Sequence, residues 1–181
     1  MSNSRKKLRY KITVIGDGRV GKTSLIKKFT LGTFETDYVE TIGAQFSKFD
    51  KEIDKDHIRL IFWDIAGQRE LDFLRPSFYR DSDAAIIVYS LEENDLGRNS
   101  FKHIKNWHED IKRFCGNIPT VLWANKEDLI DLDNLDKTKI QKKVNKYNFI
   151  RCYITSAKTG QGVQKAFESI IEKLYLKSQS N

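Results

Sequence analysis

The chain has 181 residues, is 39% hydrophobic and carries a formal net charge of +7. That size suits one domain with a buried core, without internal repeats, and no apolar run is long enough to span a bilayer. Met1–Arg9 is polar and basic, so no secretory leader is expected. Cys115 and Cys152 form no C-x-x-C pair, which suits a reducing compartment. His57, His103 and His108 lack ligand spacing, which argues against protein-bound zinc.

In chain order, the first element is a strand over about Leu8–Ile15, which runs into Gly16-Asp17-Gly18-Arg19-Val20-Gly21-Lys22-Thr23. This stretch has the G-x-x-x-x-G-K-S/T form of a phosphate-binding loop. Ser24–Leu31 then reads as a helix. A strand–loop–helix turn aims backbone N–H groups and the positive helix end at one point, and glycine lets the main chain approach an anion. Lys22 would reach the β- and γ-phosphates of a nucleoside triphosphate, and the Thr23 hydroxyl would ligate Mg²⁺. The loop specifies a triphosphate but not its base.

Gly32–Ala44 reads as a loop whose Thr41 can complete the magnesium shell when a third phosphate is present. Gln45–Ile53 and Ile58–Asp64 read as a hairpin around the polar turn Asp54-Lys55-Asp56. The hairpin leads into Phe62-Trp63-Asp64-Ile65-Ala66-Gly67-Gln68. Asp64 at the strand end can hold Mg²⁺ through water, the Gly67 N–H can meet the γ-phosphate, and Gln68 can orient an attacking water. Taken singly, Asp64 reads equally well as a helix cap and Gln68 as a solvated loop residue. Glu70–Arg80 reads as a helical segment that Pro76 can interrupt.

Ala84–Ser90 reads as the central buried strand, Ser100–Cys115 as a long helix and Thr120–Ala124 as another buried strand. Asn125-Lys126-Glu127-Asp128 follows, and it names the base. The Asp128 carboxylate can accept from guanine N1–H and the N2 amino group, whereas adenine would leave it unpaired. Asn125 can tie neighbouring loops together, and the aliphatic stem of Lys126 can lie along the base. After a strand over Ile150–Thr155, Ser156-Ala157-Lys158 adds a backbone donor near the base carbonyl. Gly162–Leu176 reads as a final amphipathic helix, with Val163, Phe167, Ile170, Ile171 and Leu174 on one core-facing stripe. Strands alternating with helices predict an α/β fold with a parallel sheet and ligands at the carboxyl ends of its strands.

Basic residues cluster at Arg5, Lys6, Lys7, Arg9 and Lys11, at Lys27-Lys28, and through Lys137–Lys146. No aromatic interleaving of the RNA-binding kind accompanies them, so nucleic acid is not expected as a partner. Lys139, Lys142, Lys143 and Lys146 fit one solvated helix face, and the N-terminal cluster suits weak attraction to anionic lipid.

Taken together, GDGRVGKT at 16–23, TIGAQF at 41–46, WDIAGQ at 63–68, FYR at 78–80, NKED at 125–128 and SAK at 156–158 resemble the Ras superfamily of small GTPases, the Rab branch most closely. The resemblance runs from about Leu8 to about Lys177. It implies a P-loop NTPase G domain with a six-stranded, mostly parallel sheet and helices on both faces. It also implies Mg²⁺-dependent binding of GTP and GDP, slow hydrolysis to GDP and phosphate, and two switch segments. Phe34 matches an aromatic that lies beside the guanine, and Tyr38 one that covers the phosphates. Phe46, Trp63 and Phe78 match the aromatic trio that Rab proteins present to effectors. The implied partners are an exchange factor, an activator and effectors, and the implied protein is a cytoplasmic monomer, peripheral at a membrane surface. Residues 1–7 read as a basic N-terminal extension, 8–177 as the G domain and 178–181 as a tail.

Several positions depart from the family pattern. Arg19 replaces a residue that is often small, Ile65 stands in place of threonine, and Arg69-Glu70 reverses the usual charge order. Ala44-Gln45 replaces the usual middle of the switch motif, and Lys177-Ser178-Gln179-Ser180-Asn181 has no cysteine for a prenyl anchor. These departures leave an alternative to a hydrolysing switch: a GTP-locked interaction protein with little turnover. A P-loop enzyme acting on a small phosphate acceptor is disfavoured by the guanine-specifying motifs and the absence of room for an acceptor domain.

Overall fold

The computed structural model describes residues 5–34, 41, 43–66 and 75–180. Six strands form one sheet in the order β2-β3-β1-β4-β5-β6. They are β1 (Lys7–Ile15), β2 (Ala44–Ile53), β3 (Asp56–Ile65), β4 (Ala84–Ser90), β5 (Thr120–Asn125) and β6 (Cys152–Thr155). Only the β2–β3 hairpin is antiparallel; β1 pairs with β3 and β4, β4 with β5, and β5 with β6 in parallel. The helices are α1 (Lys22–Leu31), α2 (Arg75–Tyr79), α3 (Asp95–Cys115), α4 (Lys137–Lys146) and α5 (Val163–Gln179).

β4 is buried at every position, which is why it reads as an unbroken apolar run and not as an alternating one. Its parity separates two cores. Ala84, Ile86 and Val88 join Leu25 and Phe29 of α1 and Phe167 and Ile170 of α5. Ala85, Ile87 and Tyr89 join Ile104 and Trp107 of α3 and Ile140 and Val144 of α4. Successive side chains of a strand point to opposite faces, so one strand serves both layers. In the first layer Phe29 stacks on Phe167 at 4.1 Å, with Phe62 and Trp123 edge-on to Phe167 at 5.0 and 4.5 Å.

Several boundaries differ from the sequence expectation for physical reasons. α3 begins at Asp95 and not at Ser100, because the Asn94 side chain caps it by accepting from the Gly97 N–H at 3.0 Å. Helix-poor Asp95, Gly97 and Asn99 hide that first turn in the sequence. β6 is shorter than expected; Ile150 lies outside it and is exposed, although its N–H still donates to the Thr120 carbonyl at 2.9 Å. Pro76 lies within α2, and residues 70–74 of the expected helical segment fall outside the described residues.

The expected flanks also contribute to the fold. Lys7 opens β1, and α5 continues through Ser178 and Gln179. Asp56 draws both ends together: Oδ1 accepts from the Lys6 N–H at 2.8 Å, and Oδ2 accepts from Tyr175 Oη at 3.2 Å and Gln179 Nε2 at 3.1 Å. The basic N-terminal cluster is therefore partly engaged within the chain. Arg5 pairs with Glu52, Lys6 Nζ donates to Gln179 Oε1 at 3.1 Å, and Lys11 Nζ donates to the Arg80 carbonyl at 2.6 Å. On α4, Lys139, Lys142 and Lys146 are exposed as expected, but Lys143 is half-buried with Nζ 4.8 Å from the centre of the Phe101 ring. Among the described residues, no helix is long and apolar enough to cross a membrane.

Candidate nucleotide site

Asp64 and Asn125, close to the ends of β3 and β5, and Gly16 and Ser156, just after β1 and β6, lie at the carboxyl edge of the sheet, where ligands of open α/β folds bind. The 16–23 loop is tightly packed. Gly16 has φ 143°, and a Cβ there would lie 2.1 Å from the Val88 carbonyl oxygen; at Gly21, with φ 97°, it would lie 2.3 Å from Asn125 Nδ2. Arg19 holds the left-handed conformation at φ 64° without being glycine. Lys22 is buried and its Nζ donates to the carbonyls of Gly16 and Asp17, both at 2.9 Å. Burial lowers its pKa, against the opposing pull of Asp64 and Asp17. Lys22 thus bridges its own loop, and a polyphosphate would compete with two carbonyls for the ammonium. Ser24, next in α1, is half-buried.

Three oxygen donors meet beside Lys22. The Thr23 hydroxyl donates to Asp64 Oδ2 and lies 3.0 Å from the Thr41 hydroxyl. A hydroxyl has one proton, so Thr41 donates to Thr23. Asp64 is 3% exposed, and its other oxygen, Oδ1, is buried without a hydrogen-bond partner among the described residues. Burial raises the Asp64 pKa, while Lys22 and the Thr23 hydrogen bond oppose the rise. An unsatisfied carboxylate oxygen is costly to bury. With two hydroxyls alongside, it fits a hard cation such as Mg²⁺, which takes oxygen ligands and keeps waters.

Asn125 is the junction of the base-side loops. It is 1% exposed; Nδ2 donates to the Val20 carbonyl at 2.9 Å, and Oδ1 accepts from the Ala157 N–H at 3.2 Å and Thr155 Oγ1 at 3.3 Å. Of the Ser156-Ala157-Lys158 segment, expected to offer a backbone donor near the base carbonyl, the Ala157 N–H is therefore engaged by Asn125. Ser156 Oγ donates to Asp128 Oδ1 and accepts from the Thr159 N–H at 3.1 Å, while Lys158 is exposed. Lys126 has φ 69°, and its Nζ meets Glu92 Oε2 at 2.6 Å. Glu92 is also held by the Ser90 hydroxyl at 2.8 Å. Sequence reasoning missed Glu92; its one signal was a carboxylate just past the end of a buried strand.

Phe46, Trp63 and Phe78 form a row, with ring centres 5.8 and 6.2 Å apart. Phe46 is 62% exposed, Trp63 and Phe78 are half-buried, and Lys11 Nζ lies 4.2 Å from the centre of the Trp63 ring. Phe34 is exposed at the edge of the 5–34 segment. Tyr38, Gly67 and Gln68 lie outside the described residues. Two residues that sequence reasoning did not connect with this site reach it from α3: His103 and Trp107 bond the Asp17 carboxylate.

A P-loop guanine-nucleotide fold is the class that this sheet order and loop arrangement define. The Ras family model matches residues 11–176. The chain is similar to GTP-binding protein rho1 of Schizosaccharomyces pombe, at 34% identity over a 186-residue alignment that covers 94% of this chain and 88% of that protein. The chain belongs to the Ras family of small GTPases, and its activity is the hydrolysis of GTP.

Proposed function

We propose that the chain is a magnesium-dependent GTP switch in which residues 16–24, Lys22 among them, hold the phosphates, Thr23 and Thr41 hold Mg²⁺ directly and Asp64 through water, and Asp128 selects guanine. The observation that carries this reading is Asp64 Oδ1, buried without a hydrogen-bond partner among the described residues, beside the hydroxyls of Thr41 and of Thr23, the neighbour of Lys22. Bound there, Mg²⁺ would neutralise phosphate charge. Lys22 exchanges its two carbonyl partners for phosphate oxygens, which strengthens as negative charge moves to the leaving group. The Gly67 N–H meets the γ-phosphate and Gln68 orients the attacking water. Asn125 holds the base-side loops to the phosphate loop, the Lys126 stem and Phe34 flank the base, and Tyr38 covers the phosphates. The Ser156-Ala157-Lys158 segment offers the base carbonyl a backbone donor other than the Ala157 N–H, which Asn125 holds.

Phosphate release measured with Mg²⁺ and with excess chelator tests this. Gln68→Leu is expected to keep GTP affinity and lose most turnover; hydrolysis at the wild-type rate would remove Gln68 from the mechanism. Intrinsic turnover would be slow, since among the described residues Arg19 is the one local candidate for a finger in cis, and in the Ras template a partner's arginine is worth about 10³–10⁵ in rate.

A Rab-like output, with a role in vesicle traffic, is supported by the row Phe46, Trp63 and Phe78, of which Phe46 is exposed and the others half-buried. The similarity to a Rho-type protein favours other effectors on the same surface. Membrane attraction through the N-terminal basic residues would be weak, since Arg5, Lys6 and Lys11 are engaged internally. Liposome co-sedimentation that survives high salt would contradict it.

A further inference from the structure

Asp17 places a carboxylate inside a loop whose task is to receive a polyphosphate. A free carboxylate there would repel the ligand, and desolvation would magnify the repulsion. The structure ties it to α3 instead. Trp107 Nε1 donates to Asp17 Oδ1 at 2.7 Å, and His103 Nδ1 meets Asp17 Oδ2 at 2.7 Å. A carboxylate only accepts, so His103 carries its proton on Nδ1. Both oxygens are thereby satisfied by donors on successive turns of one helix, and the Asp17 main chain is left to face Lys22.

The same indole makes a second contact. Arg75 lies with Cζ 4.3 Å from the centre of the Trp107 ring and Nη1 3.3 Å from Asp110 Oδ2. Arg75 opens α2. Trp107 therefore touches the phosphate loop with its edge and the start of α2 with its face.

We infer that Trp107 and His103 are positioning residues for nucleotide retention, acting through the Asp17 carboxylate. This rests on the proposed placement of nucleotide at residues 16–23. Trp107→Phe keeps the apolar ring in the α3 core and removes the N–H. Release of N-methylanthraniloyl-GDP from the full chain is expected to accelerate by about tenfold to a hundredfold, the scale of one hydrogen bond to a charged group. His103→Ala, at a half-exposed position, should accelerate release by a smaller factor.

The discriminating measurement is the double variant. Without the carboxylate the indole N–H has nothing to hold, so Asp17→Ala with Trp107→Phe should release nucleotide within about twofold of Asp17→Ala alone. If Trp107→Phe accelerates release equally in both backgrounds, its role is packing and the inference fails. If neither Trp107→Phe nor His103→Ala changes release while the wild type retains the probe, the inference fails and the nucleotide site stands. A wild-type chain that does not retain the probe overturns both.

Discussion

At Gly16 the left-handed backbone and the Val88 carbonyl leave no room for a Cβ, whereas at Gly18 a Cβ would meet no described atom within 4 Å. The two glycines of one loop therefore answer to different demands. Gly16→Ala is expected to destabilise the fold by about 3 kcal/mol, from backbone strain and the clash together. Gly18→Ala should alter stability by no more than about 0.5 kcal/mol, so any functional loss reports on what approaches the loop. Urea unfolding of the two variants separates the cases, and equal stability would contradict the packing at Gly16. Asp128 makes a different demand, on chemistry. Asp128→Asn replaces an acceptor oxygen with a donor that faces guanine N2 badly and the xanthine carbonyl well. GTP affinity should fall by about 2–3 kcal/mol with a turn towards XTP. Titration with labelled GTP and XTP checks it, and an unchanged preference removes Asp128 from the site.

Between elements, the link from β4 to the base-side loop is the pair Glu92–Lys126. Burial pushes the Glu92 carboxyl up, but the Lys126 and Ser90 hydrogen bonds outweigh it and hold the carboxyl below its ordinary value. With a folded pKa below the unfolded one, the stabilisation is complete above the unfolded value of about 4.3 and is lost as pH falls through the folded value. Glu92→Gln should cost about 1–2 kcal/mol at pH 7 and flatten the acid limb of a stability–pH curve. An unchanged acid limb would show that the pair contributes nothing to folding. The strands were legible because buried parallel strands are apolar runs, and the gathering of Lys22, Thr23, Asp64 and Asn125 at one edge of the sheet because each sits in a short motif at or just past a strand end. Glu92, His103 and Trp107 were not legible: each acts through a partner far away in the chain, and nothing in local pattern marks such contacts. The start of α3 was hidden because it is set not by helix propensity but by the Asn94 cap and the packing of Gly97 against the Glu92 carbonyl oxygen, where a Cβ would lie 1.8 Å away.

Across the whole molecule, the hairpin register places Phe46 opposite Trp63, and α2 brings the Phe78 ring within 6.2 Å of the Trp63 ring. The row thus spans β2, β3 and α2, the elements flanking Thr41, Asp64 and residues 67–74. Contacts made by a third phosphate at Thr41 and Gly67 would act on both ends of this row, and differential contact is what a ligand needs to shift a conformational equilibrium. The exposure of Phe46 makes it the cleaner probe, because Phe46→Ala should alter stability by no more than about 0.5 kcal/mol. Trp63→Ala also removes the ring under Lys11 and is expected to be less stable. A partner captured by the GTP-analogue form should be recovered poorly from the GDP form, and Phe46→Ala should weaken its capture without shifting the unfolding midpoint. Equal recovery from both nucleotide forms would leave a GTPase whose hydrolysis is not coupled to this surface.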